Sequence, residues 1–205
     1  MQSEAQNGRI GEVIESSTIH FVAATYELLA SPPFGSLVRA TTTDQGLHVY
    51  GLIYDIHTGS REPGGRAIVR GRTYTGRYLY DDEIYRAHPD LSVVLQTEFT
   101  ALIVGYTLHG RLIQRLPPQP PPVHYSVYPC PNEELAAFGD HLDFLRTVLL
   151  APGLPADELL TAAVRTIALA RRDGPTYLVR VGRELARLLK DDYDRLTALL
   201  HRLRP

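Results

Sequence analysis

Eight histidines, one cysteine and two compact carboxylate runs are the side chains of this chain best suited to hold a metal or move a proton. A histidine metal site needs its ligands on one face, as in a His-x-x-x-His helix pair, and a thiolate site needs a Cys-x-x-Cys turn. His20, His48, His57, His88, His109, His124, His141 and His201 are scattered, and neither pattern occurs. His20, His48 and His109 fall in strand patterns and are expected to be half-exposed residues of a sheet. Cys130 is the only cysteine and lies between prolines, so it is expected to be a spacer and cannot form an intrachain disulfide. Asp81, Asp82 and Glu83 offer the oxygen ligands that hard cations prefer. Acids just before a short helix also complement its dipole, and that is the expected role. Asp191-Asp192 has the same two readings. A Gly-x-Ser-x-Gly nucleophile motif is absent. The single lysine, Lys190, follows leucines rather than a glycine-rich turn, which excludes a P-loop. The expectation is a non-enzyme with no catalytic residue, metal site or cofactor.

One other constellation has chemical potential. Arg66, Arg70, Arg72 and Arg77 alternate with Tyr74, Tyr78 and Tyr80 over a short span. Arginines grip phosphates and aromatic rings stack on bases, which would make a nucleic-acid surface. The same two residue types are favoured at the centres of protein interfaces. The chain carries 21 basic against 23 acidic residues, a net charge of -2, so it lacks the basic excess of a general nucleic-acid binder. Arg66, Arg70, Arg72, Tyr74, Arg77 and Tyr78 are therefore expected to contact a protein partner or a second copy, with nucleic acid as the alternative.

The elements that must position these residues change character near Pro117. Before it, apolar residues alternate and glycines recur. Short strands are expected at 11–15, 18–23, 37–41, 47–56, 66–70 and 99–108, with Ile19, Phe21 and Ala23 sharing one face. Gly51 and Gly105 fall within strands, where bulges or barrel bends are placed. A flexible loop is expected at 58–65 and a turn or two of helix at 82–88, ended by Pro89. Many short strands with glycine-marked bends point to a closed antiparallel barrel over 8–116.

The stretch 117–131 is rich in proline and is expected to be a linker or a strap across a surface. It also has the look of a ligand for a proline-recognition domain, a weaker reading. From 132 to 205 apolar residues recur at helical spacing. Asn132 is expected to cap a helix whose stripe is Leu135, Phe138, Leu142, Leu145 and Leu149, stopped by Pro152. A second helix starts near Pro155 and closes at Asp173-Gly-Pro175. The last segment reads as one long helix or as two meeting at Asp191-Asp192. The fold class is thus α+β, a small barrel followed by a helical bundle. No apolar run is long enough for a membrane span, and the first residues lack the features of a signal peptide, so a cytoplasmic location is expected.

Three stretches resemble one family: Ile10-Gly-Glu-Val-Ile-Glu-Ser-Ser17, Pro33-Phe-Gly-Ser-Leu-Val38 and Val49-Tyr-Gly-Leu-Ile-Tyr54. Their order is similar to that of the HAS-barrel, the domain that precedes the motor in HerA-type DNA-translocating ATPases and occurs in rotary ATP synthase subunits. The resemblance covers the first half of the chain. It implies a role in assembly, because in the larger relatives the barrel holds a ring together or docks a partner such as a nuclease. It carries over no catalytic residue. Prolines and helices follow the barrel here in place of the family's ATPase core, so ATP hydrolysis is not implied.

Overall fold

The computed structural model of the protein describes residues 8–44 and 46–204. The stretch read above for targeting features, residues 1–7, lies outside the described residues. The described residues form seven strands: β1 (Gly11–Ser16), β2 (His20–Thr25), β3 (Leu37–Thr41), β4 (Leu47–Ser60), β5 (Leu95–Leu108), β6 (Arg111–Ile113) and β7 (Ser126–Pro129). They run in the order β2-β1-β7-β3-β4-β5, and β5 pairs back onto β2. Six strands therefore close an antiparallel barrel, and β6 adds a hairpin to β5.

Period-two alternation decides what fills the ring. Phe21, Ala23, Val38, Ala40, Val49, Ile53, Phe99, Ala101, Ile103 and Val127 point inward and are buried. Ile19, expected on that face, lies in the turn before β2 and is exposed. Over β3, β4 and β5 the opposite face is buried as well. Leu37, Tyr50, Leu52, Leu102 and Val104 meet the helices there. This two-sided burial explains why 47–53 reads as a nearly continuous apolar run. Gly51 sits at a register shift between β4 and β5, which matches its expected bulge. A Cβ there would lie 2.8 Å from both Ala101 Cβ and Phe21 Cε1, so the bare backbone makes room for the Phe21 ring.

The helical half contains α3 (Asn132–Phe138), α4 (Asp143–Leu150), α5 (Ala156–Ala170), α6 (Gly174–Leu188) and α7 (Tyr193–Arg202); α1 (Asp82–Ala87) and α2 (Leu91–Val94) are short and precede them. The central helix, α5, buries Leu159, Leu160, Ala163, Val164 and Ile167 and touches α3, α4, α6, α7 and β4. The final segment is two helices. The Asp192 side chain caps the second of them by accepting a hydrogen bond from the Arg195 N–H at 3.1 Å. No helix among the described residues is long and apolar enough to cross a membrane.

Besides Ile19, four expectations about the elements are corrected, and the loop expected at 58–65 starts only after Ser60, where β4 ends. Residues 66–70 form no strand: β4 and β5 pair with each other up to Ser60 and Leu95, leaving Ile68 and Val69 no ladder to join. The stretch 117–131 is more than a linker, because it carries β7, which fits between β1 and β3 and completes the ring. Pro117 and Pro121 are buried, so the proline run is a strap packed onto the protein. The N-cap is Pro131 rather than Asn132: the Leu135 N–H donates to the Pro131 carbonyl at 2.9 Å, and Asn132 is already helical.

The fourth correction concerns the helix expected from Asn132 through Leu149. It is broken at 139–142. Gly139 crosses α5 so closely that a Cβ would lie 2.5 Å from Ile167 Cγ2. Gln114, buried just after β6, repairs the break. Its Nε2 donates to the carbonyls of Phe138 (2.8 Å) and His141 (3.2 Å), and its Oε1 accepts from the Phe144 N–H (3.0 Å). Orphan groups of two helix ends are satisfied by one side chain from the barrel half. Arg171 braces the same bend by donating to the Ala136 carbonyl and pairing with Asp140 and Asp173 at 2.8 Å.

Tyr177 is fully buried nearby, and its hydroxyl has no hydrogen-bond partner among the described residues. Burial pushes its phenol pKa upward. An unsatisfied buried hydroxyl costs roughly 1–3 kcal/mol. Tyr177→Phe is expected to raise the thermal midpoint by a few degrees, read by differential scanning calorimetry; a lowered midpoint would mean that the hydroxyl is satisfied.

Candidate docking surface

The site grows from the length of two strands. β3 accompanies β4 only as far as Leu52, and β2 accompanies β5 only from Glu98 onward. Thr58–Ser60 and Leu95–Thr97 therefore leave the barrel as a two-stranded ribbon. Its base is pinned by Thr97, which is almost fully buried. Thr97 Oγ1 accepts from the Leu29 N–H at 2.9 Å and lies 2.8 Å from Thr58 Oγ1, and its carbonyl accepts from Thr25 Oγ1 at 3.1 Å. At the tip, Arg61 clamps the two ends of the excursion 61–94. Its Nε donates to the Leu95 carbonyl (3.1 Å) and its Nη2 to that of Ser92 (3.3 Å).

All six expected contact residues lie on this excursion. Arg66 and Arg70 line a groove of about 760 Å³ together with Ile68, Val69, Ile84 and Val94. Residues 71–79 form a small hairpin held by the Arg72–Tyr78 bridge, and its turn uses Gly76 at φ 78°. That hairpin carries Arg72, Tyr74, Arg77 and Tyr78. The rings of Tyr78 and Tyr80 stack with centroids 6.4 Å apart. Arg70 pairs with Asp90 and Arg77 with Glu83, each at 3.4 Å, and Arg86 pairs with Asp82. Arg66 and Arg72 have no carboxylate partner among the described residues.

The tip also concentrates exposed apolar surface. Among the described residues, eight of the nineteen exposed large apolar or aromatic side chains belong to it: Ile68, Val69, Tyr74, Tyr78, Tyr80, Tyr85, Val93 and Val94. Val69 is 93% exposed. Singly exposed apolar residues are ordinary, whereas a cluster on a projecting arm is a candidate interaction surface.

The other residues singled out for chemistry stay apart. Among the described residues no three His, Cys, Asp or Glu side chains come together to hold a metal. Asp81 precedes α1, while Asp82 and Glu83 sit in its first turn and make the ion pairs above. Asp192 caps α7. His109 is not in a strand: with Gly110 it makes the β5–β6 turn, both at positive φ (50° and 77°). His48 is half-buried in β4, and burial first, then the Arg39 charge, lowers its pKa. Cys130 is buried where β7 meets the helices. Burial, followed by the Glu134 charge, pushes its thiol pKa up, which makes it a poor nucleophile.

Sequence reasoning missed the seam between barrel and helices. Glu134, in the first turn of α3, accepts a hydrogen bond from the Tyr50 hydroxyl and lies 3.4 Å from Arg39 Nε. Arg39 also covers the Tyr128 ring, 5.2 Å from its centroid. Burial, reinforced by the Glu134 hydrogen bond, raises the Tyr50 pKa. Nothing in the local sequence ties residue 134 to residue 50. Only the burial of Tyr50 on the outer face of β4 creates the need for a partner.

A search of curated proteins finds no match to the chain. Residues 10–109 match the model of the HAS barrel domain. The matched segment carries β1 to β5, and β7 closes the ring from beyond it. The N-terminal barrel of this chain is thus a HAS barrel domain.

Proposed function

We propose that the protein is a non-catalytic scaffold or adaptor that holds a protein partner on the tip of the β4–β5 ribbon. The observation that carries this reading is the gathering of exposed aliphatic and aromatic residues, with two arginines that have no carboxylate partner among the described residues, on one clamped arm of an assembly-type domain. Tyrosine and arginine supply interface energy where they are desolvated, and the aliphatic groove gives them an apolar centre. One setting for such an adaptor, given the family, is a HerA-type ATPase or nuclease complex in the cytoplasm.

The alternative is a nucleic-acid surface. Stacked tyrosines and free arginines would suit it. Charge weighs against it: the excursion 61–94 has six arginines against five acids, and three of those arginines are already paired. A strand of phosphates would meet a nearly neutral arm.

The test is capture from the native host with the full chain, compared with Arg66→Glu/Arg72→Glu and with Val69→Glu. All three altered side chains project from the tip, so the thermal midpoint should hold while recovery of the partner falls by about tenfold or more. Unchanged recovery would remove the tip as the docking site. A salt-dependent gel shift of single-stranded oligonucleotide, lost in the arginine variant, would replace the adaptor reading with the nucleic-acid one.

A further inference from the structure

The helical half carries a second surface whose case does not depend on the role of the tip. A groove of about 600 Å³ runs between α5, α6 and α7. Its lining is apolar, and Leu169, Val179 and Leu200 stand at its lips; Leu169 is 88% exposed. The charged side chains that reach it are Arg165 from α5 and Arg204 just after α7. Neither pairs with a carboxylate among the described residues.

Gly182 also lines this groove, in the interior of α6. A Cβ there would meet only Leu200 Cδ2, at 3.4 Å. Its φ is not in the left-handed region, so neither the backbone nor the packing of this chain calls for glycine. Glycine also weakens a helix interior. What a bare position on a groove wall does provide is room for another backbone to approach closely.

We infer that this groove receives an amphipathic helix of a partner protein, with carboxylates beside its apolar stripe. A channel walled by helices and lipped with leucine and valine fits a helix that inserts residues at i, i+3, i+4 and i+7. The arginines select the charge of its flanks. They also argue against a second copy of this chain. A two-fold dimer presents the same patch on both sides, and that patch is lined by no carboxylate with which the two arginines could pair. With both surfaces occupied, the chain would bridge two partners.

The test uses the full chain and a displayed library of helical peptides, each about 16 residues long to span about four turns. Enriched peptides should share an apolar i, i+3/i+4, i+7 stripe with Asp or Glu at its borders. The best of them should bind Leu169→Glu and Gly182→Leu about tenfold more weakly than the parent. Arg165→Glu/Arg204→Glu should prefer the same peptide with its acids changed to lysine. Position 169 faces solvent, so Leu169→Glu tests the groove even if Gly182→Leu fails to fold. No enrichment, enriched peptides without acids, or binding unmoved by Leu169→Glu would overturn the inference. So would a dimer in light scattering that Leu169→Glu dissolves, since the occupant would then be a second copy.

Discussion

Gln114→Ala is expected to destabilise the protein by about 4 kcal/mol, because it strips partners from buried helix-end groups that each cost roughly 1–3 kcal/mol when unpaired. The Phe144 N–H and the Phe138 carbonyl have no intrahelical partner at the 139–142 break, and Gln114 serves both. For a chain of this size that loss lowers the midpoint by roughly 10 °C in calorimetry. Gln114→Glu separates hydrogen bonding from volume. It keeps the acceptor for Phe144 but sets a carboxylate against two carbonyls. Burial and those carbonyls favour its protonated form in the folded state and raise its folded pKa above the unfolded value. The folded state then binds more protons, so the variant regains stability as pH falls and loses it as pH rises through the folded pKa. A Gln114→Glu protein as stable as the parent at neutral pH would show that the stitch contributes little.

Gly51→Val should be nearly as damaging, by about 3 kcal/mol. Overpacking a well-filled core costs roughly 1–3 kcal/mol, and here the clash is with side chains that have nowhere to go. Phe21 and Ala101 are fully buried inside the closed ring, and a Cβ at position 51 falls 2.8 Å from each. The measurement is a denaturant midpoint for Gly51→Val, Phe21→Leu and the double variant. The two substitutions should be strongly non-additive, with the smaller residue at 21 relieving the larger one at 51. Additive losses would mean that the glycine serves the strand bend alone and not the Phe21 ring.

These two positions differ in how far the sequence announces them. A glycine inside an apolar run signals a bulge or a close approach, so Gly51 was legible as a special backbone position; the ring it accommodates was not. Gln114 looks like any polar residue after a short strand. The central parts of β4 and β5 and the α5 helix follow from periodicity, a property each segment carries in its own side chains. The strand expected at 66–70 failed for the complementary reason: isoleucine and valine favour a strand only when a neighbouring ladder is open to them. β7 went unseen because four residues among prolines hold too little pattern.

The candidate site divides in the same way. Residue type alone placed the Arg/Tyr set on one span, 66–78. Chain folding decided that Arg66 and Arg70 face an aliphatic groove while Arg72, Tyr74, Arg77 and Tyr78 ride a hairpin, and that Arg70 and Arg77 are neutralised by Asp90 and Glu83. The groove among α5, α6 and α7 has no local signature, since Leu169, Val179 and Leu200 belong to three helices.

By itself the sequence determined the α+β division, the barrel with its family resemblance and the absence of a P-loop, because these depend on composition, short-range period and contiguous motifs. Only the tertiary structure decided the closure of the ring by β7, the broken helix stitched by Gln114, the Tyr50–Glu134–Arg39 seam and the two exposed grooves. Each of those joins residues far apart in the chain. The energy that selects them comes from satisfying buried polar groups and filling space after the elements have met, and no local window of sequence contains both partners.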